Sequence, residues 1–385
     1  MKITHFFILN DEDRNPFSGA ENHLWELLKG SAKVNDDTEL LVAICQTGKV
    51  IDKRLEELRS NGVKVSLIDR KKYKFSTNAY LRMIQECLIY RKEFRKRKDR
   101  VLHLHLNSNI IPTTAILARH PNIFFSFHND EPYFKKALSK FLLDKMFFWF
   151  RHTVAITGHV KNYLVNEVGL PTNKISVIRY GINPPPIKNI EDLNLPELPG
   201  KIKLCFVGRL TEQKNLFFFF ECLKELSDVS LVLFGEGADR QKLVDLSNEL
   251  GFAERVHFYG YLDAASSYIK TFDFLCLPSK WEGLGLVLIE AMYQKVSIIG
   301  ADAGAIPEVL DYGRLGDIIS YTDKEKAVLE MKRIFEDFIN GIDKREFALE
   351  FAKNNYTVER MVMETIDMYK EYSKPVNSIN IAGRF

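Results

Sequence analysis

The stretch LPSKWEGLGLVLIEAM, residues 277–292, changes its pattern twice within sixteen residues. With the apolar FDF ahead of it, FDFLCLPS (272–279) reads as a buried strand. Glu282-Gly283-Leu284-Gly285 reads as a turn, and LVLIEAM as the start of a helix carrying Glu290. Strand, glycine turn and helix in that order make one step of a parallel α/β sheet. Glycines at 283 and 285 let a ligand approach backbone, and amides at a helix start favour phosphate or sugar oxygens. Eight helical residues would set Glu282 and Glu290 about 12 Å apart. A buried carboxylate such as Glu290 is costly unless paired, and two vicinal ribose hydroxyls would satisfy both its oxygens.

The same step recurs along the chain. KITHFFIL, ELLVAIC, KVSLID, VLHLHL, NIFFSFH, TVAIT and ISVIRYG read as strands between helical patterns in the first half. INPPPIKNIEDLNLPELPG (182–200) then breaks the pattern with prolines and polar residues. KLCFVG, SLVLFGEG, RVHFYG, FDFLCLPS and VSIIGADAG restart it, while the phenylalanines at 217–220 read as helix core. The expectation is α/β, with two Rossmann-like doubly wound domains: 1–182, a linker at 183–200, and 201–356. A tail helix in 357–385, with Val358, Met361, Val362, Ile366 and Tyr369 on one face, is expected to return to the first domain. In such sheets ligands bind outside the carboxyl ends of the strands, so two sites would face one cleft.

A chain of 385 residues suits two domains, and 46% hydrophobic with 27% charged content is that of a globular protein. No apolar stretch approaches the roughly 20 residues of a spanning helix; FLLDKMFFWF (141–150) is broken by Asp144 and Lys145. MKITHFFILNDED is too short in its apolar run for a signal peptide, so a cytoplasmic protein is expected. Five scattered cysteines without CxxC spacing read as core residues in a reducing compartment. Net charge is +3, yet residues 1–190 carry 31 Lys and Arg against 19 Asp and Glu, and the remainder 23 against 32. The densest run, RKEFRKRKDR (91–100), fits either a solvated helix end or peripheral association with an anionic membrane on its inner face. No nucleic-acid motif accompanies it.

Two further segments carry chemistry. FVGRLTEQKNL (206–216) ends a strand at Gly208 and sets Arg209 and Lys214 in the loop before a helix. Two fixed cations there would stabilise a diphosphate leaving group without a metal, and losing one such contact typically costs ~100- to 1000-fold in rate; the segment alone reads equally as two solvated cations in a loop. LFGEGADRQKL (233–243) places Gly235, Glu236 and Gly237 at another strand end. It fails as a dinucleotide fingerprint for want of a third glycine, but fits a turn that admits a base or ribose. Gly260 and Tyr261 follow the next strand and are candidates to line the base.

Together these segments resemble the retaining GT-B glycosyltransferases of family 4, the group 1 glycosyltransferases, whose donor domain shows a VGRL…KN loop, a GxG turn and a Glu-x7-Glu motif. Here that pair is Glu282 and Glu290, with Leu284 where phenylalanine is more usual. ADAGAIPEVL (301–310) resembles a later GGxPE element, with Ala303-Gly304 in place of two glycines. The resemblance implies that Arg209 and Lys214 bind the diphosphate and Glu290 the ribose. Glu282 and the backbone amides of Gly283, Leu284, Gly285 and Leu286 would hold the donor sugar. NPFSGAENHL resembles the family's glycine loop and keeps only Gly19, and FSFHND puts His128 where the family often has a histidine near that sugar. A lone histidine there is as readily structural.

The resemblance further implies a nucleoside diphosphate sugar donor, a glycan or lipid-linked glycan acceptor, retained anomeric configuration, and no cofactor or metal. A bacterial surface polysaccharide or lipopolysaccharide pathway is expected. A nucleotide-sugar epimerase of the same architecture and a non-catalytic nucleotide-sugar-binding subunit stay open; an epimerase would act without acceptor. His103 and His105 alternate on one strand, but with no third ligand at suitable spacing they read as core or cleft lining. Asp11-Glu12-Asp13 spells Asp-x-Asp, yet in the first loop it reads as solvated acids.

Overall fold

The computed structural model describes residues 1–9, 19–44, 49–73, 75–105, 110–128, 149–193 and 195–374. The chain forms two compact units, Met1–Gly181 with Val358–Phe385, and Ile182–Thr357. Asp11-Glu12-Asp13, Cys45 and most of FLLDKMFFWF lie outside the described residues.

The first unit is built on strands β1 (Ile3–Leu9), β2 (Thr38–Ile44), β3 (Lys64–Asp69), β4 (Val101–His105), β5 (Ile123–Phe127), β6 (His152–Ala155) and β7 (Ile175–Val177). They lie in the order β3-β2-β1-β4-β5-β6-β7, and every pair is parallel. All residues of β1, β2, β4 and β5 are buried. Strands covered on both faces need apolar side chains on both, which is why they read as unbroken runs. The strand order reverses between β1 and β4.

Helix Val358–Tyr372 belongs to this unit. Its face of Val358, Met361, Val362, Ile366 and Tyr369 packs with Ile3, Leu27, Val101 and Phe124. A Cβ on Gly30, inside helix Gly19–Val34, would lie 2.6 Å from Val362 Cγ2. Glycine there costs the helix about 0.5–1 kcal/mol relative to alanine, but it lets the two helices close on each other.

The basic run at 91–100 is divided by the fold. The Arg97 guanidinium donates to both oxygens of Glu39 at 2.7–3.1 Å and to Glu93 at 2.8 Å. Arg100 reaches Asp37 Oδ1 at 2.9 Å and the Thr4 hydroxyl at 2.7 Å. Glu39 is buried and held ionised against its own desolvation by Arg97 and Ser66. The solvated-run reading therefore fails for Arg97 and Arg100, which tie the amino end of β4 to β1 and β2.

The second unit winds the same way. Its strands are β8 (Ile202–Val207), β9 (Val229–Phe234), β10 (Val256–Gly260), β11 (Phe274–Leu277), β12 (Ser297–Ala301) and β13 (Asp317–Ile319). They follow the order β10-β9-β8-β11-β12-β13, all parallel, with the reversal between β8 and β11. β13, three residues at the sheet edge, is too short to show a period. Phe219 and Phe220 are buried in helix Leu216–Lys224. Cys205, Cys222 and Cys276 are buried free thiols.

The expected linker is not a free connector. Ile182 N–H donates to Tyr356 O and Lys188 N–H to Ser267 O, each at 2.9 Å, and the Lys188 ammonium lies over the Tyr268 ring. Residues from Ile182 onward therefore belong to the second unit. Their prolines supply no amides, and the amides of Ile182 and Lys188 pair with that unit's backbone.

Candidate functional site

In the second unit the expected donor residues gather around the switch point. Gly208, Arg209 and Lys214 follow β8; Gly235, Glu236 and Gly237 follow β9. Gly260 ends β10 and Tyr261 comes next. Glu282 to Gly285 lead from β11 into helix Leu286–Gln294, which carries Glu290. Only Leu286–Gln294 is helical, so the 12 Å helical spacing of the two glutamates does not apply: Glu282 stands in the loop, four residues before the helix.

Backbone bonds fuse the loops. Gly208 N–H donates to Phe234 O at 3.0 Å, Leu210 N–H to Glu236 O at 2.9 Å, and Gly235 N–H to Gly260 O at 2.8 Å. A Cβ on Gly235 would lie 1.8 Å from Gly208 O, and one on Gly237 2.2 Å from Leu210 O. Both glycines thus serve the approach of a neighbouring loop. Glu236 is half exposed, with Arg240 Nε 3.4 Å from it, and Tyr261 is 52% exposed.

The loops after β8 and β11 are joined by side chains. Gln213 Nε2 donates to Trp281 O at 3.0 Å, and its own carbonyl accepts from Lys280 N–H at 2.8 Å. Lys214 Nζ donates to Glu282 Oε1, and the Ser279 hydroxyl donates to the same oxygen at 2.8 Å. Asn215, at φ +56, turns the short 3₁₀ segment Glu212–Lys214 into the following helix. Asparagine tolerates that left-handed conformation better than most residues, which gives the Lys-Asn pair its physical reason. Arg209 differs from Lys214: it is exposed and has no side-chain partner among the described residues.

Glu282 is 7% exposed and fixed through its backbone too. Its carbonyl accepts from Ala305 N–H at 2.9 Å, and a Cβ on Gly304 (φ +57) would lie 2.5 Å from Glu282 N. Of the pair Ala303-Gly304, the second position is the one that requires glycine. Leu284 is 3% exposed and packs in the core, so only its backbone is available to a ligand.

Among the described residues Glu290 has no cation beside it. Burial pushes its carboxyl up to about 7, opposed only by a hydrogen bond from Ser266. A carboxyl so placed gains from any ligand that brings two hydroxyl donors. Ser266, in the 3₁₀ segment Ala265–Thr271, and Ser279, after β11, went unmarked in the sequence, because a single serine has no pattern.

His128, in the first unit, follows β5, and its Nδ1 is bonded to the Tyr180 hydroxyl. It is not a lone histidine. Its ring centroid lies 6.0 Å from His23 and 5.9 Å from His105, and His105 Nε2 lies 2.9 Å from His5 Nδ1. His103 is bonded to Tyr369 and, at 2.7 Å, to Ser126. Burial lowers His5 to about 3 and His128 to about 4, and holds His23, His103 and His105 well below 6.5. All five are neutral at pH 7. His5, opposite His103 in the β1–β4 pair, is the third ring that the spacing of His103 and His105 did not reveal. The nitrogens of these three lie within 4.8 Å of one another. The group bonds within itself and to Ser126 and Tyr369, so it reads as core. Gly19 opens helix Gly19–Val34; the NPFS ahead of it lies outside the described residues. No helix of the described residues is long and apolar enough to cross a membrane.

Comparisons with known proteins agree with this arrangement. The family described as glycosyl transferases group 1 matches residues 189–356, and glycosyltransferase family 4 matches residues 17–184. An uncharacterized 41.2 kDa protein in the cps region of Klebsiella pneumoniae is 30% identical over 212 residues, 54% of this chain and 58% of that protein. A lipopolysaccharide core biosynthesis mannosyltransferase of Rhizobium leguminosarum bv. viciae is 24% identical over 200 residues, 48% of this chain and 56% of its own. The chain thus spans somewhat more than half the length of these curated relatives. Among solved structures, Anabaena HepE in complex with UDP and glucose superposes with a TM-score of 0.76 at 16% identity, covering 96% of this chain and 100% of that one. The lipopolysaccharide outer core galactosyltransferase WaaB gives 0.73 at 18%, with the same coverage. These likenesses fix the GT-B fold. Since the two family matches between them run from residue 17 to residue 356, the chain belongs to the group 1 glycosyltransferases, family 4.

Proposed function

We propose that the protein transfers a sugar from a nucleoside diphosphate donor to a glycan or lipid-linked glycan acceptor, with retention of configuration and without a metal, in the assembly of a bacterial surface polysaccharide or lipopolysaccharide. The observation that carries this reading is the composite at the β8–β11 switch point. An unpaired, exposed Arg209 and a Lys214 paired with Glu282 stand on one side, and an uncompensated Glu290 on the following helix. Arg209 and Lys214 would take the diphosphate as charge develops on it, and Glu290 would accept from both ribose hydroxyls. Glu282, released when Lys214 turns to phosphate, would accept from hydroxyls of the donor sugar. UDP in HepE, and the pathways named for the mannosyltransferase and WaaB, support the donor and acceptor classes.

No obvious nucleophilic carboxylate faces the sugar in this motif set, which supports a front-face displacement. The sugar–phosphate bond breaks, the acceptor oxygen bonds the same face, and its proton passes to the departing phosphate. A thermal-shift screen across UDP-, GDP- and ADP-sugars identifies the donor, and product NMR reads the anomeric centre. Stabilisation by none of these nucleotides refutes the assignment, as does an inverted product or a trapped covalent glycosyl-enzyme for the mechanism.

A further inference from the structure

With Arg97 and Arg100 held in ion pairs, Arg91, Lys92 and Arg95 of the basic run remain on the outer face of helix Ala79–Arg95. Leu81, Ile84 and Leu88 share that face and are 53%, 44% and 58% exposed. At 100° per residue they fall with Arg91, Lys92 and Arg95 in one stripe about 100° wide, opposite the buried Tyr90 and Phe94. The amino half of the stripe is apolar and the carboxyl half basic. A shallow groove joins the halves, lined by Leu88, Arg91, Lys92, Arg95 and Lys96. Arg91 Nε donates to Leu117 O at 3.1 Å, which brings the exposed Leu117 beside the stripe.

We infer that this face docks on an anionic lipid bilayer, with Leu81, Ile84 and Leu88 entering the headgroup–acyl boundary and Lys92 and Arg95 meeting lipid phosphates. Exposed large apolar side chains in a row mark an interaction surface, and a basic margin selects a partner that is both apolar and anionic. A second copy fits poorly, because a parallel pair opposes basic residues and an antiparallel pair sets the basic half of one stripe on the apolar half of the other. A soluble phosphate would leave the leucines without a role. The inference deepens the lipid-linked acceptor reading and rests on it, but its test reads binding without transfer.

Flotation of the full chain tests it, with vesicles of phosphatidylcholine alone and with phosphatidylglycerol added. The chain is expected to float only with the anionic vesicles and to be released by salt. Lys92→Gln/Arg95→Gln is expected to weaken partitioning about 30-fold, and Leu81→Ser/Leu88→Ser at least about 10-fold with charge unchanged. A UDP thermal shift equal to wild type shows that each variant is folded and keeps the donor-site reading separate. Absence of flotation at low salt overturns the inference, as does a serine variant that floats like wild type. A dimer in sedimentation that the serine variant dissolves would also overturn it, giving the face to a second copy.

Discussion

Lys214 and Glu282, 68 residues apart in the chain, form an ion pair at the carboxyl ends of the two strands that flank the switch point of the second unit. Both side chains are largely enclosed, 14% and 10% exposed. The pair holds the loop after β8 against the loop after β11, and in the proposed reaction a phosphate would have to draw Lys214 from Glu282. The two proposed roles are therefore coupled rather than independent.

Lys214→Ala removes the cation and leaves a buried carboxylate with Ser279 alone. Urea denaturation should show a loss of about 1–3 kcal/mol, together with loss of turnover. Adding Glu282→Gln removes the stranded charge and should restore part of the stability but none of the turnover. A single variant as stable as wild type would refute the coupling.

In its proposed role Glu290 would give nucleotide binding a pH dependence. Its folded pKa of about 7 stands above the ordinary 4.5, and ribose hydroxyls would donate to the carboxylate, so protonation would compete with the ligand. UDP affinity by calorimetry should fall as pH drops below about 7 and level off above it. The stability sign is opposite: the raised pKa stabilises the fold below pH 4.5, and that contribution is lost as pH rises through 7. Glu290→Gln should thus raise the melting temperature at pH 8 while weakening UDP binding and flattening its pH profile. Unchanged affinity in this variant would remove Glu290 from the ribose.

The fold was legible because buried parallel strands are largely apolar on both faces: LLVAI and FLCL stand out at once. β13 escaped because three edge residues carry no period. In the site, Arg209, Lys214, Glu282 and Glu290 were readable, since each sits in a strand–loop–helix step of fixed pattern. What one step does to another was not readable. The demand of Gly208 for a glycine at 235, the bond of Ser279 to Glu282, and His5 opposite His103 all depend on strand order. Likewise the basic run could not show that Arg97 and Arg100 turn inward, because Glu39 and Asp37 lie on another element.

The glycines separate the two kinds of reading. Gly235→Ala places a methyl 1.8 Å from the Gly208 carbonyl, and backbone cannot yield as a side-chain tip does. A loss near the upper end of the usual 1–3 kcal/mol for overpacking is expected, with the Arg209 loop displaced and UDP binding weakened. Ala303→Gly, which recreates the family's double glycine, should change stability by no more than about 1 kcal/mol. Denaturant midpoints and UDP calorimetry on the two variants decide this. A fully stable Gly235→Ala would show that the loops are not held as described.

The buried histidines make the first unit sensitive to acid. His5, at about 3, His128, at about 4, and His23, His103 and His105, also well below their unfolded value of 6.5, bind protons more readily unfolded than folded. Their contribution is therefore complete above pH 6.5 and is lost as pH falls from 6.5 through 4 toward 3. In the second unit Glu290 acts in the opposite direction, and His257 is the one histidine lowered there. Hydrogen exchange followed from pH 7 to pH 4, corrected for intrinsic rates, should show peptides of β1 and β4 losing protection while those of β8 and β11 keep theirs. His105→Leu removes one of the coupled rings and should shift the opening of the first unit to lower pH. Simultaneous loss in both units, or a His105→Leu variant that opens at the wild-type pH, would place the acid sensitivity elsewhere.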